Sequence, residues 1–114
     1  MNSSDKREII LRSFIQILRV PGIKYNSQIN LFGKAQFWTK SSNGLQKRIS
    51  LIQERYNCGN DFELIYKKVN PIPGSKKVIF TIDIALKEDA NLDGILGLLQ
   101  LYNQVDTSIK SLFD

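Results

Sequence analysis

The amino-acid sequence predicts an α+β domain, a small antiparallel sheet with helices packed on one face. Three observations carry that reading. Apolar residues at helical spacing occur near both ends and in the middle of the chain, separated by segments that alternate apolar and polar residues. Turn chemistry (Pro21-Gly22, Asn43-Gly44, Pro71 to Gly74) punctuates those segments. The chain has 114 residues, 42% hydrophobic and 24% charged, enough for one core and in the globular range, so residues 1–114 are expected as a single domain.

The elements follow in order. Asp5 to Val20 is expected as a helix, with Ile10, Phe14, Ile17 and Leu18 on one buried face. Ser4 or Asp5 would cap it, Glu8 would complete a capping box, and Pro21-Gly22 would end it. Ser27 to Thr39 is strand material in which Gly33 marks either a bulge or a turn dividing the run in two. Leu45 to Tyr56 places Leu45, Ile49, Ile52 and Tyr56 on one helical face, with Ser42 or Asn43 as cap and Asn57-Cys58-Gly59 as stop. Phe62 to Val69 alternates as a strand and Lys76 to Leu86 pairs back as the other arm of a hairpin. Leu92 to Leu101 begins a final helix weakened by Gly94 and Gly97, which the last dozen residues either extend or leave.

Composition excludes several function classes. With no histidine, the usual general base, the serine-type triads and the commonest zinc ligand are missing. The lone Cys58 has no partner for a disulfide and no histidine to activate it, which fits a reducing, cytoplasmic compartment. No glycine-rich phosphate loop follows a strand, so no cofactor is expected. The longest apolar run, Val78 to Leu86, is broken by Thr81 and Asp83 and falls far short of the ~20 residues of a membrane span. Nor does the start read as a signal peptide. The chain is therefore expected to be soluble and not an enzyme, with no catalytic or metal site. Glu88-Asp89 and Asp93 form the one carboxylate cluster, read as a strand end followed by helix N-terminal charge.

Sixteen Lys and Arg against eleven Asp and Glu give a net charge of +5, which leans toward polyanions. Lys34, Gln36, Trp38 and Lys40 project alternately from one strand, and Lys67, Lys68, Lys76 and Lys77 flank the hairpin loop. Lys34, Gln36, Lys40 and the four hairpin lysines are the DNA-contact candidates; the plainer alternative is that hairpin lysines keep an edge soluble. Lys47-Arg48 is expected on the solvated face of the second helix and Trp38 as a partly buried core aromatic, with phosphate contact and base stacking as the alternatives. Asp83, inside an apolar strand, needs a partner if it faces inward.

Several segments resemble one family. Lys6-Arg7-Glu8-Ile9-Ile10-Leu11-Arg12-Ser13-Phe14 resembles its opening helix, and Asn43-Gly44-Leu45-Gln46-Lys47-Arg48-Ile49-Ser50-Leu51-Ile52 its second. Asp61 to Lys68 and Lys76 to Ile82 resemble its paired strands, and Gly94-Ile95-Leu96-Gly97-Leu98-Leu99 its closing helix. The family is the amino-terminal domain of WhiA, a sporulation and cell-division regulator of Gram-positive bacteria and mycoplasmas, itself related to LAGLIDADG homing endonucleases. The resemblance covers about Asp5 to Leu99 and implies one homing-endonuclease-like α-β-β-α half, binding duplex DNA and regulating transcription without cutting it. It implies a second half-domain or a homodimer, with Phe14, Ile17 and Leu18 as a possible self-association surface. Where endonuclease relatives place a metal-binding acid, this helix ends Arg19-Val20-Pro21-Gly22-Ile23-Lys24, without a carboxylate. Two rival readings stand beside it. One is a protein–protein interaction domain that has lost DNA contact; the other is an OB-like subunit of a single-strand-binding complex, which requires Leu45 to Tyr56 to be strand.

Overall fold

Two β-hairpins, each preceded by a helix, meet edge to edge, and a third helix closes the chain. The computed structural model describes residues 2–31, 33–57 and 59–102. The order is α1 (Ser3–Leu18), β1 (Tyr25–Asn30), β2 (Lys34–Thr39), α2 (Leu45–Tyr56), β3 (Phe62–Val69), β4 (Ile79–Leu86) and α3 (Leu92–Leu101). One four-stranded antiparallel sheet runs β1-β2-β4-β3, so the seam between the hairpins is the β2–β4 pairing, Lys34 opposite Ala85 through Thr39 opposite Phe80. This is the small α+β architecture that the patterning predicts. The expected order of helix, one or two strands, helix, two strands and helix resolves to α-β-β-α-β-β-α because Gly33 divides the first strand run, so the described residues hold two α-β-β units and a closing helix rather than a single α-β-β-α half.

The helices cover one face of the sheet. Period-two alternation sends Ala35, Phe37, Phe62, Ile82, Ile84 and Leu86 into the core, where they meet the buried faces of α1, α2 and α3. α1 is the central element, buried along Ile9 to Leu11 and Ser13 to Ile15 as well as at Ile17 and Leu18. Phe14 packs its ring 5.1 Å from that of Phe62 and 5.7 Å from that of Tyr56. Phe14, Ile17 and Leu18, the expected self-association residues, are thus 0–3% exposed inside the chain's own core. They are not available to a second copy, because the sheet and the other two helices already occupy that face.

The structure also corrects several boundaries. α1 starts two residues early because Asn2, not Ser4 or Asp5, caps it, its side-chain oxygen accepting from Asp5 N at 2.8 Å. Glu8 instead faces Arg12 one turn on, at 3.8 Å. The Ser27–Thr39 run is two strands; Gly33 makes the turn with φ +87°, where a Cβ would stand 3.1 Å from the Arg7 guanidinium and 3.2 Å from the Leu86 carbonyl. α2 enters through a turn closed by Leu45 N to Ser42 O at 3.0 Å, so its N-cap is Gly44 rather than Ser42 or Asn43. Its helical character overturns the OB-like reading. β4 begins at Ile79, not Lys76, because β3 ends at Val69 and leaves nothing for Lys76 to Val78 to pair with. α3 spans the expected residues, capped by Asn91, whose side-chain oxygen accepts from Gly94 N at 3.0 Å. Cys58 of the α2 stop and the last twelve residues lie outside the described residues.

Candidate functional site

The sheet face opposite the helices has no cover of its own among the described residues. Register assigns its side chains to rows: Asn30, Lys34, Ala85 and Glu63; then Gln28, Gln36, Asp83 and Ile65; then Asn26, Trp38, Thr81 and Lys67. The first two rows line an open depression of about 590 Å³. Gln28 Nε2 donates to Gln36 Oε1 across the first hairpin. Asp83 therefore lies on the open face, half-buried between Gln36 and Ile65 with Lys34 and Glu63 in the same depression, and needs no core partner.

Trp38 corrects its expected place. Its neighbours Phe37 and Thr39 point into the core, so Trp38 falls on the open face. There it lines a second depression of about 490 Å³ with Lys24, Asn26, Lys40 and Ile79. An indole edged by two lysines is suited to a planar, anionic ligand such as a nucleotide.

The strand ends sort the charges. At one end of the sheet stand Lys24 and Lys40 beside that depression, with Arg19 over the Tyr25 ring at 5.7 Å. The arm of the second hairpin, with Lys67, Lys68, Lys76 and Lys77, springs from the same end, where Val69 pairs with Ile79. No acid occurs from Ile9 to Gln53 or from Leu64 to Ile82, the segments that build this end. The opposite end is mixed: Glu63 and Asp61 neighbour the start of β3, Lys6 pairs with Asp93 at 2.8 Å, and Arg7 donates to the carbonyls of Lys87 and Glu88 at 2.9 and 2.7 Å.

Of the seven predicted contact residues, Lys40, Lys67, Lys68, Lys76 and Lys77 are thus brought to one end. Lys67 and Lys68 emerge on opposite faces of the strand. Gln36 sits mid-face and Lys34 at the mixed end, in the row of Glu63, so these two stand apart. Arg48 is not on a solvated face; its guanidinium donates to Ile17 O at 3.0 Å, satisfying the C-terminal turn of α1, while Lys47 remains exposed. Lys24 joins the basic end unpredicted; its only signal in the sequence is the acid-free stretch around it. Glu88, Asp89 and Asp93 do not assemble: among the described residues no three His, Cys, Asp or Glu side chains gather in a metal-binding arrangement. No described helix is long and apolar enough to cross a membrane.

No family model, curated protein or solved structure matches the chain.

Proposed function

We propose that the chain is a non-catalytic DNA-binding and regulatory domain, similar to one half of the WhiA amino-terminal module, that lays its basic end on the phosphates of duplex DNA. The observation that carries this reading is the sorting of charge along the sheet, lysines without acids at one end and mixed charge at the other. Such a field orients a polyanion before contact and makes the basic end the first to meet it. Lys40, Lys67, Lys68, Lys76 and Lys77 supply phosphate contacts, and Trp38 supplies a stacking surface beside them. A cytoplasmic location fits this role.

The interruption of the open face by Glu63 and Asp83, with Ile65 exposed between them, favours a second reading. On it the face receives a protein partner and the lysines serve only solubility. Binding of a labelled duplex, followed by anisotropy at several salt concentrations, separates the two. Five phosphate contacts predict a slope of log K on log salt of about −4.5, so a fourfold rise in salt weakens binding about 500-fold. Replacing the four hairpin lysines with glutamine flattens the slope to about −1. Absence of binding at low salt, or a slope unchanged by those replacements, overturns the DNA reading in favour of the protein partner.

A further inference from the structure

The tip of the β3–β4 hairpin combines a hydrogen-bonded turn with an apolar apex. The arm is held at its base by Tyr66 and Phe80, stacked with ring centroids 6.3 Å apart and planes within 12°. Past that stack every residue from Lys67 to Lys77 except Ser75 is exposed. The apex is Asn70-Pro71-Ile72-Pro73-Gly74-Ser75. Asn70 Oδ1 accepts from Ile72 N at 3.1 Å, and Asn70 Nδ2 donates to Ser75 O. Ser75 N donates to Ile72 O at 3.1 Å, closing a turn with Pro73 and Gly74 at its centre and Gly74 at φ +83°. Proline followed by a positive-φ glycine is the pair that a type II turn favours. Ser75 Oγ then accepts from Lys77 N at 3.1 Å.

Ile72, between two prolines, is 56% exposed on this braced apex. An exposed isoleucine on a mobile loop needs no explanation. One held out on a turn whose backbone is already ordered gives up little further entropy on insertion. The surrounding charge selects what it inserts into: the arm carries four lysines and no acid from Leu64 to Ile82.

We propose that Ile72, supported by Pro71 and Pro73, is a wedge that enters the minor groove of duplex DNA and opens a base step, kinking the duplex, while Lys67, Lys68, Lys76 and Lys77 hold the phosphates on either side. This rests on the DNA-binding reading above. Apolar side chains that part base steps do so from the minor groove, and the deformation is easiest at pyrimidine–purine steps. The major groove would offer the Ile72 side chain a thymine methyl at most.

The test uses the whole chain and a duplex of about 30 base pairs, long enough for a bend to shorten its end-to-end distance. The duplex carries a fluorophore at each end and 2-aminopurine beside a central TA step. Wild type is expected to raise end-to-end energy transfer and to increase 2-aminopurine emission severalfold. Ile72→Ala, a change at an exposed apex, keeps the salt slope and loses less than about tenfold in affinity, but loses most of both optical signals. Binding by wild type without bending, or bending that survives Ile72→Ala, overturns the wedge and leaves the DNA reading standing. No binding at all overturns both. Vesicles of phosphatidylserine and phosphatidylcholine are run in parallel. Vesicle binding that depends on Ile72, with duplex bending indifferent to it, assigns the tip to an anionic bilayer and overturns the wedge.

Discussion

Truncating Phe14 to alanine distinguishes a core helix from an association helix. Phe14 is fully buried, and its ring is flanked by those of Phe62 and Tyr56 at 5.1 and 5.7 Å. Removing a ring from such a site costs about 3–5 kcal/mol, from lost transfer energy and the cavity left behind. A chain of this length has a total stability of about 6–17 kcal/mol, so Phe14→Ala removes a large part of it. With a urea m-value of about 1.5 kcal/mol/M, the midpoint falls by about 2–3 M. Trp38, the only tryptophan, sits on the sheet face away from the cavity and reports the transition by fluorescence. The midpoint is expected to be independent of protein concentration over about a hundredfold range, since the ring is buried within one chain. A loss below about 1 kcal/mol, with a wild-type midpoint that climbs with concentration, would refute the placement of α1 as an internal element.

Two glycines in α3 should respond differently to the same change. A Cβ at Gly97 meets nothing within 4 Å, so Gly97→Ala stabilises the helix by about 0.5–1 kcal/mol in thermal or urea unfolding. A Cβ at Gly94 would lie 2.7 Å from Asn91 Nδ2 and 2.9 Å from its Cγ, so Gly94→Ala displaces the capping side chain. The lost cap, about 1 kcal/mol, offsets the helical gain; a stabilisation equal to that at Gly97 would show the cap to be idle. Burial pushes the Tyr56 phenol above its ordinary value of 10.0, against the opposing pull of the Arg55 guanidinium. The folded state thus holds this proton more tightly than the unfolded chain, and the stability it contributes is present below pH about 10 and lost as pH rises further. Tyr56→Phe, which also removes a buried hydroxyl that, among the described residues, lies near the Arg55 guanidinium without a hydrogen bond of good geometry, should leave neutral-pH stability equal or higher and flatten the alkaline decline. An alkaline decline as steep as wild type's would assign it to other groups.

The elements that sequence patterning places best are those whose ends carry their own chemistry. α2, β3 and α3 span the expected residues because their apolar spacing sets them and the Asn57 stop closes α2, although the residues that cap α2 and α3 are Gly44 and Asn91 rather than ones the patterning singles out. α1 shifts because three polar residues near its start compete to cap it and Asn2 wins. β4 loses Lys76 to Val78 because strand ends depend on what the partner strand offers, which periodicity does not contain. At the site, alternation already puts Trp38 opposite Phe37; what it leaves open is which face the helices cover. The acid-free stretches around the lysines are visible in the chain, but their convergence on one end follows from the strand order β1-β2-β4-β3. Lys34 and Lys40 lie one strand length apart on β2, so they stand at opposite ends of the sheet, and only Lys40 joins the hairpin lysines. The bond from Arg48 to Ile17 joins residues 31 apart and has no local signal.

The seam where β2 meets β4 has a kinetic consequence. Each hairpin closes through neighbours in sequence, so either forms without the other. The seam joins Thr39 to Phe80 and Lys34 to Ala85, across an intervening helix and strand, and among the described residues it is the only non-local pairing in the sheet. Closing that long loop carries most of the chain-entropy cost of the sheet. Until it closes, β2 and β4 each have one edge unsatisfied and an apolar row without its helices. The interval before the seam zips is therefore when this protein is most exposed to pairing with another chain.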